Sequence, residues 1–248
     1  MNKMNVNTSM TAERCVGGVL GGMGPIATVV FLDRVIANTE VCREQDHVDL
    51  VVSQRSSTPD RTAAILGSGS SPLPQLTADA QMLEAAGAKF LVIPCNTASY
   101  FAPSIAESVS IPVVSIVNAT LDEVCRRGGN RVGLLATDGT FAANVYADAA
   151  QQRGLEIVAP LPEVQRRVMS VIYDDVKVGR RVEQHVFDEL IAHLVDCGAD
   201  TVVCGCTEIS VLYRDLDCPH YVVDSIESLA RATVTRAGGK LREASVIE

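Results

Sequence analysis

Two cysteines sit where apolar runs are about to end. "VIPCNTAS" (92–99) places Cys95 after a short hydrophobic run and a proline, with Asn96 and Thr97 directly behind it. "VVCGCTEIS" (202–210) does nearly the same with Cys206, Thr207 and Glu208. The four histidines, at 47, 185, 193 and 220, adjoin neither cysteine in sequence. A lone nucleophilic cysteine normally comes with a histidine that takes its proton, so the pattern points to another scheme. Two thiols without histidine suit proton exchange at carbon: one thiolate removes a proton from one face, the opposite thiol returns one to the other face, and the centre inverts. Asn96, Thr97 and Thr207 are small donors beside the thiols. With the helix N-termini expected after both loops, they supply activation and can stabilise charge building on a substrate carboxylate.

The elements that must hold these thiols follow from hydrophobic periodicity. "CVGGVLGG" reads as a strand entering a glycine turn, and "PIATVVFLDRVIANT" as the helix behind it, with Pro25 suited to the first helical turn. "HVDLVVSQ", "KFLVIPC", "IPVVSI", "RVGLLAT" and "TVVCGC" read as further strands, separated by helices such as "LPQLTADAQMLEAAGA", "TLDEVCRRGG" and "VEQHVFDELIAHLVDCGAD". This alternation predicts a parallel α/β architecture.

An internal repeat organises it. Gly87, Ala88, Val92, Cys95 and Ser99 fall on Gly198, Ala199, Val203, Cys206 and Ser210 at a constant offset of 111. Gly18, Leu20, Gly24 and Ala27 fall on Gly133, Leu135, Gly139 and Ala142 at 115. Two near-equal offsets in the same order predict a duplicated unit and a pseudo-two-fold. Because such sheets open a ligand crevice at strand C-termini, the two cysteine loops are expected to confront each other across one cleft. Arg61 in "STPDRTAAI" and Lys177 in "IYDDVKVGRR" differ by 116, so the duplication extends to a pair of cations matched to a small dianion.

Composition bounds the rest. The chain has 248 residues, 47% hydrophobic but only 4% aromatic with no tryptophan, so aliphatic side chains must fill the core. The net charge of −9 argues against general nucleic-acid or anionic-membrane binding and leaves room for an anionic substrate gripped by local cations. The polar start "MNKMNVNTSMTAER" lacks the apolar stretch of a signal peptide and no segment has membrane-span length, so a cytoplasmic protein with free thiols is expected. Of the eight cysteines, 15, 42, 125, 197 and 218 fit core or boundary positions. The C-x-C of Cys204 and Cys206 has no companion C-x-x-C or nearby histidine, which leaves zinc poorly supported.

Taken together, "GGMGP..AT", "PDRT", "PCNTA" and "GCTE" resemble the aspartate/glutamate racemase family of cofactor-independent amino-acid racemases, over about residues 14–230. The resemblance implies two Rossmann-like parallel-sheet α/β domains related by a pseudo-two-fold, an active site in the interdomain cleft, and a two-cysteine mechanism without pyridoxal phosphate, other cofactor or metal. Domain limits are expected at 14–116 plus 221–248 and at 117–220, after a disordered tail over 1–13. Carried over by motif, Cys95 and Cys206 are the acid/base pair, and Arg61 and Lys177 hold carboxylate. Asn96, Thr97, Thr137 and Thr207 bind the α-carboxylate and amino group, with Met23, Gly24 and Glu208 completing the substrate-binding set. The glutamate racemases of cell-wall synthesis carry Asp-Ser-Gly and GCTH motifs; "LGGMGP" and Glu208 here favour the aspartate branch. Two retained cysteines favour racemisation over the decarboxylases among one-cysteine relatives, and the cations argue against hydantoins; the alternative within the superfamily is another isomerase or amino-acid racemase. A homodimer acting on an acidic amino acid, without nucleic acid or membrane, is the family expectation. Two rivals remain. "GMGPIA" (22–27) fits G-x-G-x-x-A, with Glu40 or Asp46 as the ribose acid, but this leaves both cysteine motifs unexplained. A non-catalytic two-lobed amino-acid-binding protein would bind ligand without exchanging its α-proton.

Overall fold

The computed structural model describes residues 15–243. Its first half runs β1 (Gly17–Gly21), α1 (Pro25–Asn38), β2 (Leu50–Gln54), α2 (Arg61–Ile65), α3 (Leu73–Ala85), β3 (Phe90–Val92), α4 (Ala102–Ala106), β4 (Val113–Val114) and α5 (Ile116–Arg127). Its second runs β5 (Arg131–Leu135), α6 (Asp138–Ala142), α7 (Ala147–Gln151), β6 (Glu156–Val158), α8 (Pro162–Ser170), α9 (Gln184–Asp196), β7 (Thr201–Cys204), α10 (Thr207–Asp215), β8 (Val222–Asp224) and α11 (Ser225–Arg236).

Local chemistry sets several of these limits. Pro25 opens α1, where a missing N–H costs nothing. Ser115, Thr137 and Asp224 cap α5, α6 and α11 through their side-chain oxygens. Gly128 ends α5 in the left-handed conformation at φ 82°, which glycine adopts without strain.

The strands form two four-stranded sheets, ordered β2-β1-β3-β4 and β6-β5-β7-β8. All pairings within them are parallel. Identical order in both halves is the duplication expected from sequence. It is visible in the packing as well. A Cβ added at Gly18 would stand 3.0 Å from Ala88 Cβ and 3.2 Å from Leu83 Cβ; at Gly133 it would stand 3.0 Å from Ala199 Cβ and 2.8 Å from Leu194 Cβ. Both contact pairs keep the 111-residue offset. The glycines let α3 and α9 lie close on their strands, and they are why the repeat is written in glycine.

One apolar cluster runs through both halves, from Val19, Phe31 and Phe90 to Leu134, Val203 and Leu229. A second cluster, including Leu20, Leu76, Leu83 and Leu91, covers the other face of the first sheet. Each large aliphatic or aromatic side chain so buried contributes about 1.5–3 kcal/mol. Val222–Asp224 pair with β7 and complete the second sheet, beyond the expected 220/221 limit. The chain returns to the first half only with α11, which packs on α1 and α5. Two cysteines also depart from expectation. Cys42 and Cys125 are exposed, while Cys15, Cys197 and Cys218 are half-buried. Cys125 falls on the outer face of α5, whose buried face is Ile116, Val117, Thr120, Leu121 and Val124. The tail over 1–13 lies outside the described residues. Among the described residues no helix is long and apolar enough to cross a membrane.

Candidate active site

Each thiol follows a central strand of its own sheet. β3 closes in a tight turn, with the Cys95 amide donating to the Ile93 carbonyl at 2.7 Å. β7 closes likewise, through the Gly205 amide and the Val203 carbonyl at 2.9 Å. Cys206 is then the N-cap residue of the nine-residue α10; Cys95 is followed by a 3₁₀ turn, Thr97–Phe101, leading into α4. The two cations also match in topology. Arg61 opens α2 after β2, and Lys177 lies in a 3₁₀ turn, Val176–Val178, reached from β6 through α8 and a π-helical turn, Val171–Asp175.

Cys95 and Cys206 line one cavity of about 10 Å³, together with Met23, Arg61, Asn96, Thr97, Thr137, Lys177, Thr207 and Glu208. Of the expected site residues only Gly24 lies outside it. Gly24 faces an adjoining groove of about 930 Å³. Asp60, Arg61, Lys177 and Glu208 line both spaces and form the neck between them. About 10 Å³ is the room of a single water, so the two lobes stand closed on one another around the thiols.

Hydrogen bonds around the cavity, several of them between the lobes, hold that closure. The hydroxyls of Thr97, Thr137 and Thr140 form a triangle with sides of 2.9, 3.1 and 3.1 Å. The Tyr146 hydroxyl donates to Asn96 Oδ1 at 2.6 Å, and Asn96 Nδ2 donates to Ser225 Oγ at 2.8 Å. Lys177 Nζ stands 3.4 Å from Asp60 Oδ2 and 3.7 Å from the centre of the Tyr173 ring. Tyr173 donates to Asp60 at 3.1–3.2 Å. Gly139 permits the close approach, because a Cβ there would lie 2.8 Å from the Thr62 Cα.

The electrostatics follow from this crowding. Arg61 spends its fork on backbone: Nη1 donates to the Thr58 and Pro59 carbonyls at 3.3 and 3.0 Å, and Nη2 to the Met23 carbonyl at 3.2 Å. Burial works against its charge, but Cys95, Asp60 and Glu208 outweigh that and raise its pKa. Burial likewise opposes the Lys177 ammonium, and Glu208, Tyr173, Cys206 and Asp60 more than compensate. Burial pushes the Cys206 thiol well above its ordinary value, and Glu208 pushes it further, with Lys177 pulling the other way. The Cys206 thiol donates to Glu208 Oε2 at 3.0 Å. Burial first, and Glu208 second, thus favour the protonated form of this thiol.

Sequence reasoning missed several participants. Asp60 and Tyr173 line the cavity, and Tyr146 and Ser225 fix Asn96. Asp60 stood in plain view inside "PDRT". Cys204 lies wholly within the apolar core, and no cluster of metal-ligating side chains occurs among the described residues. Glu40 and Asp46, the acids of the dinucleotide reading, are tied on the surface to Lys240 and Arg43.

Paired parallel-sheet lobes closing on one polar cavity define a two-lobed α/β protein. The Asp/Glu/Hydantoin racemase family model matches residues 20–233, and the chain belongs to that family of isomerases. It is 24% identical to the broad specificity amino-acid racemase RacX of Bacillus subtilis over 88% of this chain and 96% of that one. It is 32% identical to a glutamate racemase of Geobacter metallireducens over 63% of this chain and 60% of that one. Its fold superposes on the Picrophilus torridus aspartate racemase with a TM-score of 0.79 and 27% identity, covering 92% of this chain and 96% of the other.

Proposed function

We propose that this chain is a pyridoxal-phosphate-independent racemase of an acidic amino acid, with Cys95 and Cys206 as a two-base pair at the α-carbon. The observation that carries the reading is the meeting of two thiols from matching strand ends of duplicated halves in one closed cavity, with a cation from each half beside them. One thiolate takes the α-proton, and the electron pair passes into the substrate carboxylate. The opposite thiol gives its proton to the other face of the carbon and is left as the thiolate, so no net proton is consumed. Arg61 and Lys177 offset the charge that accumulates on the carboxylate. The lobes' similarity suits a reaction whose substrate and product are mirror images. Homodimer assembly and a cytoplasmic setting belong to the same reading.

The test is chiral chromatography after incubation with L- and D-aspartate and L- and D-glutamate, with no cofactor added. Racemisation that survives exhaustive dialysis is expected. Activity lost on dialysis and restored by pyridoxal phosphate sinks the proposal. A broader side-chain range is the second reading. It rests on the groove of about 930 Å³ beyond the neck, walled in part by Ile26, Val182, Val211 and Leu212, and on likeness to a broad-specificity relative. A panel including neutral and basic amino acids separates the two.

A further inference from the structure

Glu208 is 3% exposed, yet its two oxygens live differently. Oε2 accepts from the Cys206 thiol at 3.0 Å and from the Thr207 hydroxyl at 3.3 Å. Oε1, equally buried, accepts nothing among the described residues. An unpartnered carboxylate oxygen in a low-dielectric site is costly, so the position calls for a donor. None of the neighbouring cations supplies one. Lys177 is engaged with Asp60 and the Tyr173 ring, and Arg61 has turned three donors to backbone carbonyls. Both act on Glu208 through space alone. The oxygen looks toward the neck, where Gly24 leaves it room: an added Cβ there would come within 3.5 Å of Oε1. The other orphan of the cavity has the opposite sign. Arg61 Nε is buried and donates to nothing among the described residues. One free acceptor and one free donor are what a zwitterion needs.

We propose that Glu208 is the ammonium subsite: Oε1 receives the α-ammonium of the substrate while Oε2 keeps hold of the Cys206 thiol. The inference rests on the amino-acid racemase reading and gives Glu208, already in the substrate-binding set the resemblance implies, a specific partner that ties substrate orientation to one of the two thiols. An ammonium on Oε1 offsets the Glu208 charge that adds to burial in raising the Cys206 thiol, so the amino acid itself eases formation of the second thiolate. An acid without the amino group leaves Cys206 as it stands.

The probes are pairs of acids of equal length: L-aspartate with succinate, L-glutamate with glutarate, and L-norvaline with pentanoate. Binding is measured by calorimetry on the wild-type protein and on Glu208→Gln, whose amide can still accept from Cys206 but turns its NH₂ toward the ammonium. The wild type is expected to prefer the amino member of at least one pair by tenfold or more, about 1.4 kcal/mol. The variant is expected to lose that preference while holding the deaminated acid within about threefold. A wild type with no such preference overturns the proposal, whether or not the variant folds. So does a variant that weakens both members equally. Uptake of α-deuterium by the same amino acids is scored separately. Its absence counts against racemisation and not against the ammonium subsite.

Discussion

Replacing Tyr146 by phenylalanine removes one oxygen from a site that touches neither thiol by hydrogen bond. Tyr146 is among the largest fully buried side chains of the described residues and is 1% exposed. Burial holds its phenol far above the ordinary range, so it stays a donor at any working pH. Its hydroxyl gives Asn96 Oδ1 a 2.6 Å bond. Phenylalanine keeps the ring and its packing, so no aromatic-sized cavity opens. What remains is an Asn96 carbonyl without its donor in a residue 1% exposed, a loss of about 1–3 kcal/mol. Asn96 is still tethered through Nδ2 to Ser225, so the loop behind Cys95 is loosened without being released. Urea denaturation is expected to show a drop in that range with an unchanged slope. Turnover should fall by more than the amino acid's affinity, because the position of Cys95 is felt most at the transition state. In Asn96→Ala the second change should add little, since the two residues form one network. A Tyr146→Phe protein with wild-type stability and wild-type turnover refutes the argument, as does full additivity with Asn96→Ala.

Cys95→Ser and Cys206→Ser are each expected to abolish racemisation, since serine cannot supply the thiolate; near-normal racemisation by either, read by chiral chromatography, overturns the two-base assignment. Arg61→Lys keeps the charge but cannot span the Thr58, Pro59 and Met23 carbonyls, and kcat/KM on aspartate and glutamate should fall by about 10- to 100-fold, in line with charged hydrogen bonds of about 1.5–3 kcal/mol; kinetics within twofold of wild type would make it a structural cation only. Gly139→Ala pushes a methyl toward the Thr62 backbone at 2.8 Å, and is expected to cut turnover more than thermal stability, because the contact lies between lobes. Asp224 caps α11 and is fully desolvated, which raises its pKa to about 6. The native state therefore binds more protons than the unfolded chain between about pH 4 and 6. Stability present at the acid end is lost as pH rises through that window, by on the order of 2–3 kcal/mol. Asp224→Asn keeps an acceptor for the Glu227 amide and should flatten the denaturation profile there; an unchanged slope rejects the assignment.

Much of the fold was written where small residues are obligatory. Gly18 and Gly133 must be bare for helices to approach, and Cys95 and Cys206 must end central strands, so the duplication is legible as two fixed offsets. Strands buried on both faces announced themselves as apolar runs. β8 did not, because three residues ending in an aspartate carry too little pattern, and sheet membership of so short a strand is settled by pairing with β7 across space. The segment bearing Lys177 was unreadable for a related reason. It passes from α-helix through a π turn to a 3₁₀ turn, and its position is set by Asp60 and Tyr173 more than by propensity. The lining of the candidate site was legible wherever its residues sat in motifs. Tyr146 and Ser225 carry no motif, and their importance comes from meeting Asn96 from 50 and 129 positions away.

The closed cavity has a consequence for how this protein meets oxidants and alkylating reagents. Its free thiols divide by access: Cys42 and Cys125 stand on the surface, while Cys95 and Cys206 are sealed behind the neck of Asp60, Arg61, Lys177 and Glu208. Attack on a thiol requires contact, so the outer pair is modified first and the inner pair only at the moments when the lobes separate. Damage to the chemistry then proceeds at the frequency of opening, and a ligand that keeps the lobes shut acts as an antioxidant for its own site.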